Sequence, residues 1–163
     1  MARLIDLAVT KCSWVTTIAT PSAPTAVELT AGKDLGPYLT TNYKVAMEDS
    51  DTVSEKSITE TAEIVVPTIQ KYSGMLELFR DFTTGAPSAS DFTTYFLGAS
   101  ELGYFVRRTG IPSSTAYASS QKVEVYKFIA DPPKFSPGSG SGYVKGTVKL
   151  LPQGVFYLQA TVA

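Results

Sequence analysis

Leu39-Thr40-Thr41-Asn42-Tyr43-Lys44-Val45-Ala46-Met47 alternates. In an extended chain Leu39, Thr41, Tyr43, Val45 and Met47 share one face, and Thr40, Asn42 and Lys44 share the other. A period of two is the mark of a half-buried β-strand. It recurs at Ile58, Glu60, Ala62, Ile64 and Val66, closed by Pro67, which cannot donate to a ladder. The two runs are expected to pair as a hairpin. Between them lies Glu48-Asp49-Ser50-Asp51-Thr52-Val53-Ser54-Glu55-Lys56-Ser57, polar, mostly acidic and longer than a compact hairpin connection. It reads as a projecting loop.

Outward from this pair the same logic finds more strands. Ser73 to Arg80 carries large apolar side chains on both faces, as in a strand covered on both sides or one at a subunit contact. Leu102 to Arg108 and Lys122 to Ile129 are aromatic and β-branched runs bounded by Gly, Pro and Ser. Tyr143 to Leu151 and Val155 to Val162 flank Pro152-Gln153-Gly154 and read as a terminal hairpin. Ser13 to Ile18 and Ala26 to Thr30 are shorter strand candidates. Ser90-Asp91 is a plausible N-cap for a short helix through Phe92, Tyr95 and Phe96, closed near Gly98. The breaker-rich stretch 130–142 is expected to be a long Pro/Gly/Ser loop. About eight strands and one short flanking helix predict a mainly β protein, a β-sandwich or barrel-like fold with long loops.

Composition narrows the function. The 163 residues suit one domain, 1–163, with 44% apolar and 18% charged residues and no run long enough for a membrane helix. Asp6 and Lys11 interrupt the apolar N-terminus, which argues against a secretory leader and for synthesis in the cytoplasm. A single cysteine, Cys12, allows no intrachain disulfide. There is no histidine, which removes the commonest general base and every imidazole metal site. Serine chemistry would need a lysine base, and no Ser-x-x-Lys with its partner motifs is present. The net charge of −1 lacks the basic excess of a nucleic-acid gripper.

Individual candidates read as structure. Gly138-Ser139-Gly140-Ser141-Gly142 is followed by a strand, not by the helix a phosphate loop needs. Glu48, Asp49, Asp51 and Glu55 lack the glycine turn and closing glutamate of a calcium loop. Arg107-Arg108 would point to opposite faces of a strand and is expected to make cross-strand pairs. Trp14 and the other aromatics are expected in a core or a subunit interface. No catalytic residue, cofactor, metal or small-molecule ligand is expected.

Four stretches carry a family resemblance: Tyr38 to Ile58, Phe79 to Ser88, Leu97 to Gly110, and Gly146 to Phe156. Together they resemble the major tail tube proteins of actinobacterial siphophages. The resemblance implies a subunit of stacked, hexameric rings in a non-contractile virion tail, around a lumen that passes double-stranded DNA. It also implies the tape measure protein and the tail terminator as partners; the Ig-like decoration that some relatives carry is not expected after Ala163. By analogy, Glu48 to Ser57 is the expected inter-ring contact, and the terminal residues Arg3, Leu4, Ile5 and Leu7 the next. The physics agrees, because open strand edges that endanger a monomer can join copies head to tail. The rival readings are a monomeric β-sandwich binding module, such as a capsid decoration or receptor-binding domain, and a tail terminator or injection-system tube protein, which would differ in copy number.

Overall fold

Valine, isoleucine and aromatic residues crowd the extended stretches of this chain, and such side chains pack best on a pleated surface. A computed structural model describes residues 8–56, 58, 64–83, 86–87, 91–98, 101–135 and 142–163. In chain order the elements are β1 (Thr10–Val15), α1 (Ala26–Ala31), β2 (Lys33–Asp34), β3 (Lys44–Glu55), β4 (Ile64–Phe79), β5 (Phe82–Thr83) and β6 (Ala86–Pro87). A 3-10 helix (Phe92–Leu97), β7 (Glu101–Thr109), β8 (Lys122–Ala130), β9 (Lys134–Phe135) and β10 (Lys145–Thr161) follow.

One antiparallel sheet takes every strand except β5 and β6, which pair with each other. Its order is β2-β1-β7-β8-β10-β4-β3, with β9 beside β10. The fold is mainly β, as expected, and sandwich-like because the sheet bends over itself. Arg107 on β7 donates to the Val45 carbonyl of β3 at 3.2 Å, although β8, β10 and β4 lie between them in the strand order. Trp14, Tyr72, Leu76, Phe105, Phe128 and Leu150 fill the core inside the bend. Val15, Leu29, Val106, Val125 and Val162 form a second core on the opposite face. Successive residues of β7 and β8 therefore enter different cores. Gly103 lets the Trp14 indole lie against β7, since a Cβ there would stand 2.6 Å from the ring.

Several expectations change. Ala26–Ala31 is a helix, not a strand: the Thr25 side chain accepts from the Glu28 N–H, and the Glu28 carboxylate takes the Thr25 N–H in return, a capping box. The expected helix near Phe92 is a single 3-10 segment, capped by Asp91 and ended at Gly98. Double-sided burial belongs to β7 and β8 and not to Ser73–Arg80, where Ser73, Met75, Glu77 and Phe79 are only half-buried. The expected terminal hairpin is one continuous strand, β10, whose first part pairs with β4 and whose second part pairs with β8. Pro152-Gln153-Gly154 makes an irregularity in it, with Gly154 at φ 71°, and not a reversal. Flanking partners on both sides hold the strand straight where an isolated pair would have turned. Part of the 130–142 loop is also strand, since β9 pairs with Gly146 and Thr147; residues 136–141 lie outside the described residues.

Candidate functional site

β4 and β10 run side by side from Phe79 and Lys145 to Gly74 and Leu150, and then part. Tyr72 stands at the parting. Its hydroxyl accepts from the backbone N–H groups of Gln153 (2.9 Å) and Val155 (3.2 Å) and donates to the Lys127 carbonyl (2.8 Å). Two acceptances and one donation use the whole capacity of a phenol. Its ring is wedged among Tyr126, Phe128 and Phe156, with centroids 5.8, 5.2 and 5.5 Å away. One side chain thus satisfies the irregularity of β10 and turns β4 away from it.

Past Tyr72, β4 has only β3 for a partner, from Glu48 opposite Lys71 to Glu55 opposite Ile64. This pair is a hairpin arm roughly 25 Å long, at about 3.3 Å per residue. Every residue of 48–55 and 64–71 except Ser50 is exposed. Val53, Ile64, Val65, Val66 and Ile69 leave 50–59% of their surface accessible. Val53 pairs with Val66 and Ser54 with Val65, so apolar side chains occupy both faces. A two-stranded hairpin with no buried face is marginal in water, and exposed apolar surface of this extent marks a contact site. Near the arm's base Lys71 pairs with Asp51, and the Thr68 hydroxyl donates to the Asp51 carbonyl.

Two more open features lie on the same sheet. β3 is a terminal strand of 12 residues with no second ladder partner among the described strands, and near its start the Val45 carbonyl is taken by Arg107. The other end is blunted by β2, which covers only Ser13 and Trp14 of β1. Leu102, Ile129 and Leu151 are register partners across β7, β8 and β10 and form an apolar row, with Leu102 and Leu151 exposed.

The frame behind these surfaces is held by arginines. Arg107 pairs with Glu124 across β7 and β8, as expected of a cross-strand pair. Arg108 does not pair in this way: it is fully buried, and its guanidinium donates to the carbonyls of Pro112, Thr115 and Ala116 and to Oε1 of Gln121, at 2.9–3.0 Å. The chain from Gly110 to Gln121 is wrapped around that cation. Arg80 reaches the buried Asp91 at 3.0 Å and lies against the rings of Phe82 and Phe135. Burial pushes the Cys12 thiol up to about 11 and the Tyr117 phenol up to about 12. Both shifts keep the proton on, the opposite of an activated nucleophile.

The family model of the phage tail tube proteins matches residues 1–163. The chain belongs to the phage tail tube protein family. No curated protein matched it. As a tail tube protein it is a structural component of the virion tail and associates there with its own kind.

Of the expected contact residues of this tail tube protein, Glu48 to Glu55 are brought together on the arm, as strand and not as loop. Lys56 follows at its tip; Ser57, Arg3, Leu4, Ile5 and Leu7 lie outside the described residues. In the second half of the arm, Ile64 and Val66 are strand as expected, but the strand does not close at Pro67 and runs on through Lys71. The proline is tolerated opposite Thr52, where the ladder is irregular. The signal that finds the arm is the run Ile64-Val65-Val66, apolar on both faces with no second core to receive it.

Proposed function

We propose that this protein is the repeating subunit of a non-contractile, siphovirus-type phage tail, in which residues 1–163 act as one unit. Copies join in rings, hexameric as the family resemblance implies, and the rings stack around a lumen that conducts double-stranded DNA. The tape measure protein and the tail terminator are its further partners on this reading. One observation carries it: a hairpin arm with apolar side chains on both faces and nothing among the described residues to cover them. The arm becomes the contact between rings, and the open outer side of β3 and the Leu102-Ile129-Leu151 row serve contacts within a ring. A net charge of −1 per copy gives the ring as a whole no basic excess to hold DNA by its phosphates.

Negative-stain and cryo-electron microscopy of the purified protein over a concentration series test the proposal. Rings or tubes with an axial symmetry are expected. A protein that stays monomeric at every concentration, and does not enter tails when supplied to a strain lacking its own subunit, would overturn it.

A further inference from the structure

The net charge of −1 conceals a strong separation. Six acidic and two basic residues lie between Glu48 and Lys71, a net of −4, which leaves +3 on the rest of the chain. Part of that positive charge is gathered beside the base of the arm. A groove of about 360 Å³ is lined there by Lys44, Ser73, Met75, Lys134, Thr147 and Lys149. The pairing explains the cluster. Lys44 on β3 and Lys149 on β10 are both register partners of Met75 on β4, and Lys134 on β9 is the partner of Thr147. Partners in register share a face, so three lysines surround an apolar floor. All three are exposed and make no ion pair among the described residues. The carboxylate nearest in register, Glu77, is already held by Lys145, Thr40 and Asn42.

The groove cannot take its own arm. The arm is the continuation of β3 and β4, the strands that form one wall of the groove, so folding back would break the ladder that makes it. Another copy's arm has no such obstacle. It is extended, acidic and apolar at once, which matches lysines around a methionine. Because donor and receiver are different surfaces of one chain, the contact is heterologous and repeats along an axis.

We infer that the Lys44-Lys134-Lys149 groove receives the acidic arm of the neighbouring copy, with Asp49 and Glu55 among the carboxylates it takes. The inference rests on the stacking subunit proposed above and names the receiving surface for the arm.

Charge reversal tests it. A Lys134→Glu/Lys149→Glu variant is expected to melt like the parent, since both side chains are exposed, and to need at least about tenfold more protein to form tubes, the scale of a lost charged contact across an interface. An Asp49→Lys/Glu55→Lys variant is expected to show the same defect. Mixed in equal amounts, the two are expected to co-assemble, because each arm then meets a groove of opposite sign. Sedimentation and electron microscopy read all three. Parent-like assembly of the groove variant alone, or failure of the mixture when the parent forms tubes, overturns the groove assignment and leaves the tail tube reading standing. A parent that forms no assembly sinks both.

Discussion

Two side chains do work out of proportion to their size. Tyr72 is the only described side chain that bonds to the backbone at the irregularity of β10 and to β8 together. Tyr72→Phe keeps the ring and removes the hydroxyl, leaving two N–H groups and a carbonyl without it. A loss of about 1–3 kcal/mol in urea-induced unfolding is expected. A parent-like midpoint would show that water replaces the hydroxyl. Arg108 is a buried cation with no ion pair among the described residues, solvated instead by four neutral oxygens of the segment it gathers. Arg108→Met orphans those oxygens and should cost about 3 kcal/mol or more by the same measurement. Arg108→Lys should recover less than half of this, because an ammonium cannot address the four acceptors as a planar fork does.

At the scale of elements, the molecule divides into strands that are buried by their own chain and strands that are not. β7 and β8 feed two cores, whereas the arm of β3 and β4 feeds none. The arm should therefore be removable. Replacing residues 50–68 by a two-residue Asn-Gly turn is expected to leave the thermal midpoint within about 4 °C, the equivalent of roughly 1 kcal/mol in a domain of this size. The same variant should form no tubes. Loss of folding, seen by circular dichroism, would mean that the arm contributes to the monomer's stability after all. The short helix α1 depends on local chemistry: with six residues it is far below the length that holds in water unaided. Its capping box and the burial of Leu29 hold it in place.

For the whole molecule, pH is the cleanest probe. Burial holds the proton on Cys12 to about 11, and burial with the Glu124 charge holds that of Tyr126 to about 12; Tyr117 is held to about 12 by burial. In the unfolded chain these groups titrate near 9.0 and 10.0. Between those limits the folded protein binds more protons than the unfolded one, so stability is full below about pH 9 and falls as pH rises toward 12. Urea midpoints at about pH 8 and about pH 10.5 should differ measurably, the alkaline one being lower. On the acid side the sign reverses. Hydrogen bonds from Lys145 and Thr40 hold Glu77 below its ordinary 4.5, so its contribution is present above that value and is lost as pH falls.

Aromatic and β-branched runs between turn residues announced β7, β8 and the β-rich class, because a strand covered on both faces carries apolar residues almost without interruption. The lack of histidine and the single cysteine likewise limit the chemistry on composition alone. Thr25-x-x-Glu28 was a legible helix start, overshadowed by the β-branched Val27 and Thr30. Other features were not local. Whether Pro152-Gln153-Gly154 turns the chain or only kinks it depends on β4 and β8 being there to hold both halves of β10, and on a tyrosine 81 residues away from Gln153 filling the gap. Glu48 to Glu55 looks like a loop because its polarity follows no period; it is strand because Ile64 to Lys71 lies opposite. The groove lysines, spread from residue 44 to residue 149, meet only because antiparallel pairing sets both Lys44 and Lys149 beside Met75. Period and composition are properties of a stretch of chain. Register between distant strands, and the charge pattern that register creates, exist only once the sheet has closed.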